Sequence, residues 1–157
     1  YDTLMDQLEE DELEAVLAHE IGHYKRGHIP KMLLLSTGMI LAGFGILHFL
    51  IQQAWFYEAF GFGKDAGFAP ALLLFSLLSP YISFWISPLM NRLVRKHEYE
   101  ADHFAKEIVG EAEPLKNSLR KLHEENLSNM TPHPWYSAFY YSHPTLIERE
   151  KALDAKA

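Results

Sequence analysis

The stretch AHEIGHYKRGH, Ala18 to His28, places three histidines and one glutamate in a short polar run. His19 and His23 are four residues apart, so on a helix both imidazoles leave one face a turn apart and can hold a single zinc ion. Glu20 lies about 100° round that helix from His19. That is close enough to take a proton from a water at the ion without ligating it. The competing reading is a solvated face, since a chain with nine histidines in 157 residues can spell HExxH by accident. A catalytic zinc also needs a third protein ligand and an open fourth position, so other parts of the chain must decide.

The flanking residues read as a helix. Acidic residues between Glu9 and Glu14 lead it and Lys25 and Arg26 close it, which suits the helix dipole. Leu13, Val16, Leu17 and Ile21 give the apolar spacing, and Gly27 is placed to end the helix. His28 is not a ligand in this reading. It stands nine residues after His19, whereas the metzincin spacing asks for the tenth, where Ile29 sits, and it lies beyond Gly27. A better third ligand is in NRLVRKHEYEADHFAKEIVG, residues 91–110, where Glu98 and Asp102 share a helix face at i and i+4. Glu98 would complete a His, His, Glu set, and Asp102 would accept the free N–H of a zinc-bound histidine. An acid pair at that spacing is also ordinary on a charged helix. His97 and Glu100 are expected to face solvent.

Between these two helices the chain is strongly apolar. From Met32 to Met90 only Glu58, Lys64 and Asp65 are ionised at neutral pH. Met32–Ile51 carries no charge beyond a protonatable His48, and Phe68–Met90 carries none. About 20 such residues cross a hydrocarbon core of about 30 Å, and a chain this short could hardly bury two such helices on all sides. Lys25, Arg26 and Lys31 precede the first run and Arg92, Arg95 and Lys96 follow the second, which places both wet ends on the cytoplasmic side. Trp55, Phe56, Tyr57 and Phe60 stand where an interfacial aromatic belt would sit. Gly38, Gly43 and Gly45 are expected to allow close helix contact, Pro80 and Pro88 to kink or interrupt the second run, and His48 to be a packing histidine. A hairpin returns the chain to the side it left, so the segments before Lys31 and after Asn91 can meet.

A net charge of −7 with no basic stripe argues against a nucleic-acid partner. With no cysteine, disulfides and thiolate metal sites are excluded. The chain opens at Tyr1 in mid-pattern and reads as part of a longer or processed protein, with no signal peptide at its start.

HEIGH before one apolar run, RKHEYEADHFA after the next, and the tail ENLSNMTPHPWYSAFYYSHPTLIERE (Glu125 to Glu150) together resemble the type-I CAAX prenyl endopeptidases, integral-membrane zinc proteases. The tail separates the chain from the related HtpX-type quality-control proteases. The similarity runs from about Leu4 to Leu153. It implies His19, His23 and Glu98 as the ligands of one zinc ion per chain and Glu20 as general base. It implies Asp102 as the acid behind the ligands, His143 as the histidine facing the scissile carbonyl, and Arg149 as the arginine bracing the site. His103, His123 and His133 match no motif position and read as surface residues. Members of the family have further membrane helices; this chain has one hairpin.

The expected architecture is all-α: a membrane helical hairpin joining zincin-type catalytic helices. Its parts are an HExxH segment (1–31), a first transmembrane helix (32–51), a non-cytoplasmic loop (52–67), a second transmembrane helix (68–90), and a third-ligand helix with a C-terminal catalytic segment (91–157). The expected function is zinc-dependent endopeptidase activity near the C-terminus of isoprenylated polypeptides, in the endoplasmic reticulum of a eukaryote or the inner membrane of a bacterium. A bacterial relative would instead cut membrane proteins more broadly. A rival of another class is a non-catalytic module that zinc only clips together. Leu115, Leu119 and Leu122 form a stripe expected to pack on the catalytic helices, and MTPHPWYSAFYY reads either as a substrate entrance or as an interfacial loop. The sequons at Asn126 and Asn129 would stay bare on a cytoplasmic face.

Overall fold

The computed structural model describes residues 7–63, 66–126, 129 and 131–155. The loop charges Lys64 and Asp65 and sequon positions 127, 128 and 130 lie outside the described residues. Among those described, every regular element is a helix: α1 (Glu10–Lys25), α2 (His28–Ile51), α3 (Ala54–Glu58), α4 (Phe68–Val109), α5 (Glu113–Asn126), α6 (Pro134–Tyr140) and α7 (Leu146–Asp154). They form two compact units, Pro30–Ile86 on the one hand and Tyr1–Ile29 with Ser87–Ala157 on the other.

The Pro30–Ile86 unit holds the apolar runs. Helix α2 starts at His28, earlier than the uncharged run, and its 24 residues extend about 36 Å at 1.5 Å per residue. Both α2 and α4 are long and apolar enough to cross a membrane. The hairpin tip has its own small core of Leu47, Phe56, Tyr57, Ala71 and Leu74, closed by a hydrogen bond from the Tyr57 hydroxyl to the Gly67 carbonyl at 3.1 Å. Phe56 and Tyr57 are therefore not belt residues as expected. A tight turn between two helices leaves a gap that needs large side chains, and these two fill it while Trp55 and Phe60 stay exposed.

Two further expectations fail in this unit, and a third, on α4, fails in its stronger form. Nothing lies within 4 Å of a Cβ built on Gly38 or Gly45, and Gly43 meets only the ring of Phe75 at an ordinary 3.9 Å, so these glycines do not mediate close packing. His48 is exposed, its Nε2 3.0 Å from the Gln52 amide. Pro80 and Pro88 do not interrupt α4, which runs unbroken from the apolar segment into the ligand-bearing one. Pro80 removes the N–H that the Ser76 carbonyl would receive, and the Ser79 hydroxyl donates to that carbonyl instead, at 3.4 Å.

In the other unit α1 and the Ser87–Val109 part of α4 pack through small residues. Ala15, Ala18 and Gly22 are buried on α1, Ala101 and Ala105 on α4. A Cβ on Gly22 would sit 3.1 Å from Ala101 Cα and 3.2 Å from its carbonyl oxygen. The apolar face expected at Leu13, Val16, Leu17 and Ile21 is thus not the packing face, and Leu17 and Ile21 are exposed. The reason is reach: ligands as short as histidine and glutamate meet only if the backbones nearly touch, which branched residues at the seam would prevent. Gly22→Val is accordingly expected to cost about 1–3 kcal/mol and to loosen any bound metal, measured as the thermal midpoint with and without added zinc.

Helix α5 closes this core as its leucine stripe predicts, with Leu115 buried against Ala15, Ala18, Ala105 and Leu153 and Leu119 packed beside them. Lys121 on α5 donates to buried Glu12 on α1 at 2.6 Å, and Lys116 pairs with Asp154 of α7.

Candidate metal centre

Gly27, at φ 65°, ends α1 in the left-handed region that favours glycine, so the helix carries His19, Glu20 and His23 in its last turns. Helix α4 brings Glu98 opposite them. The Nε2 atoms of His19 and His23 are 3.1 Å apart. Glu98 Oε2 is 3.7 Å from His19 Nε2, and its Oε1 is 3.6 Å from His23 Nε2. Donor atoms of His19, His23 and Glu98 all lie within 4.8 Å of one another. An ion bound tetrahedrally at about 2.0–2.2 Å needs donors roughly 3.3–3.6 Å apart, so the set fits a metal ion with small adjustments.

Asp102 is one turn on from Glu98, almost fully buried, with Oδ1 2.9 Å from His19 Nδ1. The Nδ1–H of His19 donates to it, which leaves the Nε2 lone pair aimed at the site. Arg149 of α7 holds the same carboxylate with two nitrogens, Nε to Oδ2 at 2.8 Å and Nη2 to Oδ1. Burial pushes the Asp102 carboxyl up, but the hydrogen bonds from His19 and Arg149 and the charge of Arg149 outweigh it, and the group sits below its ordinary value. Arg149 is held above its own, the Asp102 bonds outweighing burial. Burial, followed by the neighbouring His19, lowers the His23 pKa, so this imidazole is neutral and fit to ligate. Arg149 Nη1 also comes within 3.6 Å of Glu98 Oε2.

The tail reaches the site by local rules. Thr145 caps α7: its hydroxyl accepts from the Glu148 N–H at 3.3 Å, and Glu148 Oε2 accepts from the Thr145 N–H at 2.7 Å. Glu148 also receives Arg95 of α4 at 2.7 Å. Adjacent residues Glu148 and Arg149 thereby dock α7 onto α4 at two points two turns apart. Just before the cap, exposed His143 places Nε2 3.7 Å from Glu98 Oε1, with the Ser142 hydroxyl 3.0 Å from its Nδ1.

A cavity of about 440 Å³ opens over these groups. Glu20, His19, His23, Glu98, His143 and Arg149 line it together with the apolar Val16, Leu115, Leu119, Leu122 and Ile29.

The sequence matches Peptidase family M48 over residues 1–157. The chain belongs to Peptidase family M48. The CAAX prenyl protease 1 homolog of Oryza sativa subsp. japonica is 39% identical over 155 residues, covering 98% of this chain and 36% of the rice protein. CAAX prenyl protease 1 of Saccharomyces cerevisiae is 35% identical over 168 residues, covering 98% and 37%. The crystal structure of S. mikatae Ste24p superposes with a TM-score of 0.80 at 38% identity, over 98% of this chain and 37% of that one. The chain thus spans little more than a third of the length of the relatives it matches. An M48 peptidase implies a metal, and the three-ligand set is where this chain offers one.

All seven site residues picked out in the sequence converge in one unit. Two expectations beside them do not hold: His97 is buried, not solvent-facing, and Glu100 hydrogen-bonds buried His28 at 3.0 Å. Spacing shows only that His97 and Glu100, three apart, share a helix face; which segment covers that face is not in the spacing. Ser142 was also missed; a hydroxyl next to a histidine carries no spacing signal. His103 pairs with Glu107 at 3.3 Å, and His133 caps α6 through the Trp135 N–H. MTPHPWYSAFYY is partly helical as α6, tied to α4 by Asn91 and Arg95. Among the described residues none of its aromatics lines the cavity.

Proposed function

We propose that this chain is the catalytic part of a zinc-dependent membrane endopeptidase that cuts isoprenylated, CAAX-type polypeptides near their C-terminus. The observation that carries it is the meeting of His19, His23 and Glu98 in a cavity that Glu20 also lines. Three ligands rather than four favour catalysis over a structural clip, which would normally be closed by a fourth protein ligand. The names of the rice and yeast relatives support the substrate class, and the leucines among the cavity's lining suit aliphatic substrate side chains. The spans α2 and α4 would seat the chain in the bilayer of the endoplasmic reticulum, with the basic flanks and the site on the cytoplasmic side.

Zinc, when bound, supplies carbonyl polarisation and a water acidified towards a pKa of about 7. The remaining work belongs to the side chains. Glu20 takes the water proton and hands it to the leaving amine. With the Ser142 hydroxyl donating to His143 Nδ1, 3.0 Å away, Nε2 would carry the proton and donate to the developing oxyanion. Asp102 keeps His19 in the ligating tautomer and holds Arg149 beside Glu98. The test is zinc per chain in detergent for the wild type and for Glu98→Ala. One zinc in the wild type and a marked loss in the variant are expected. Equal zinc in both would remove Glu98 from the ligand set.

A further inference from the structure

Asp102 positions His19, but nothing so far described positions His23. The structure supplies a candidate in a residue the motifs leave aside. His28, the first residue of α2, is 2% exposed. Its Nδ1 lies 3.0 Å from His23 Nδ1, and its Nε2 lies 3.0 Å from Glu100 Oε2. Its ring rests flat on His97, centroids 4.1 Å apart and planes 9° from parallel.

The protons follow from the partners. An ionised carboxylate only accepts, so a neutral His28 carries its proton on Nε2 and presents a lone pair at Nδ1. The atom facing that lone pair is His23 Nδ1, which must then be the donor. His23 is left with its lone pair on Nε2, 3.1 Å from His19 Nε2 and 3.6 Å from Glu98 Oε1. Asp102 imposes the same tautomer on His19. Two imidazole lone pairs facing each other at that distance repel unless a cation lies between them, so the two outer chains converge on one cation position. The geometry also explains why His28 is no ligand: it meets the nitrogen of His23 that faces away from the site.

We infer that Glu100 and His28 form a hydrogen-bonded relay that fixes the tautomer and ring orientation of the metal ligand His23, with His97 holding His28 in plane by stacking. His28 is a positioning residue. The inference rests on the metal reading of His19, His23 and Glu98. Outer partners of metal-binding histidines typically contribute 10–100-fold in affinity, and this relay would give His23 what Asp102 gives His19.

The experiment is zinc affinity of the full chain in detergent, by competition with a chelator, for wild type, His28→Phe, His28→Gln and Glu100→Gln, with ¹⁵N resonances of the histidine rings. Phenylalanine keeps the stacking on His97 and deletes the acceptor, so His28→Phe is expected to weaken zinc about 10–100-fold. The amide oxygen of His28→Gln can accept the same N–H and is expected to recover part of that loss, which a merely structural role would not produce. Glu100→Gln is expected to show a smaller loss. In the wild type, His23 should bind zinc through Nε2 with its proton on Nδ1. Unchanged affinity in His28→Phe, or zinc on His23 Nδ1, would overturn the relay while leaving the metal site intact. A wild type that binds no zinc would overturn both.

Discussion

Glu20→Gln is expected to keep one zinc per chain and to lose peptide hydrolysis by about 10²–10⁴-fold in kcat, the usual contribution of a positioned general base. The separation of the two readouts is the point. Glu20 lines the cavity from an exposed position on α1 and is not among the three residues whose donor atoms cluster. Replacing it with its amide therefore leaves the ligand set and the α1–α4 seam untouched and removes only the ability to accept a proton. Cleavage of a prenylated peptide and elemental analysis on the same sample decide it. Retained turnover would take Glu20 out of the reaction, and a parallel loss of zinc would make it a ligand instead.

Asp102→Ala should have the largest effect on folding. The carboxylate is 2% exposed and Arg149 only 12%, so truncation takes the two-point partner from a buried guanidinium and leaves it only Glu98 at 3.6 Å, a loss of about 3–5 kcal/mol in comparable cases. It also frees His19 to rotate and change tautomer, for a further 10–100-fold loss in metal affinity. Denaturant unfolding of the metal-free protein measures the first effect and chelator competition the second. The same pair gives a pH dependence. Because the folded carboxyl lies below its ordinary value, its stabilisation is fully present above the unfolded value of about 4 and is lost as pH falls through the lower folded one. Asp102→Ala should flatten that acid limb in the metal-free protein. An unaltered limb would mean that the Arg149 pair contributes nothing net.

Much of this centre was legible because metal chemistry restricts residue type and helical spacing at once. His19 and His23 at i and i+4, and Glu98 and Asp102 at the same interval, are readable from one turn of helix each. The apolar runs were legible from their length without charge. What sequence left open depended on distance between segments. Nothing in HEIGH says that Gly22 is there for Ala101, and the aliphatic spacing on α1 pointed to the wrong face because the true seam is built from alanines, which carry little hydrophobic signal. His97 and Glu100 looked solvated because a charged helix was judged by composition, without knowing that the end of α1 and the start of α2 cover that side. His143 and Arg149 were placed by family resemblance alone; the capping box at Thr145 and Glu148 is the local physics that delivers them.

The centre draws on three distant parts of the chain, and the contact between His19 and Arg149 joins residues 130 positions apart. During synthesis the HExxH helix is finished long before Arg149 is made, an interval on the order of ten seconds at about 5–20 residues per second. Throughout it the nascent chain holds two imidazoles with no third donor, then all three donors while Asp102, the partner of His19, still lacks its arginine. Until α7 docks, Asp102 lacks the Arg149 guanidinium and Glu98 lacks its neighbour His143. Chains released by a stalled ribosome before residue 143 would carry the HExxH signature without either of these groups.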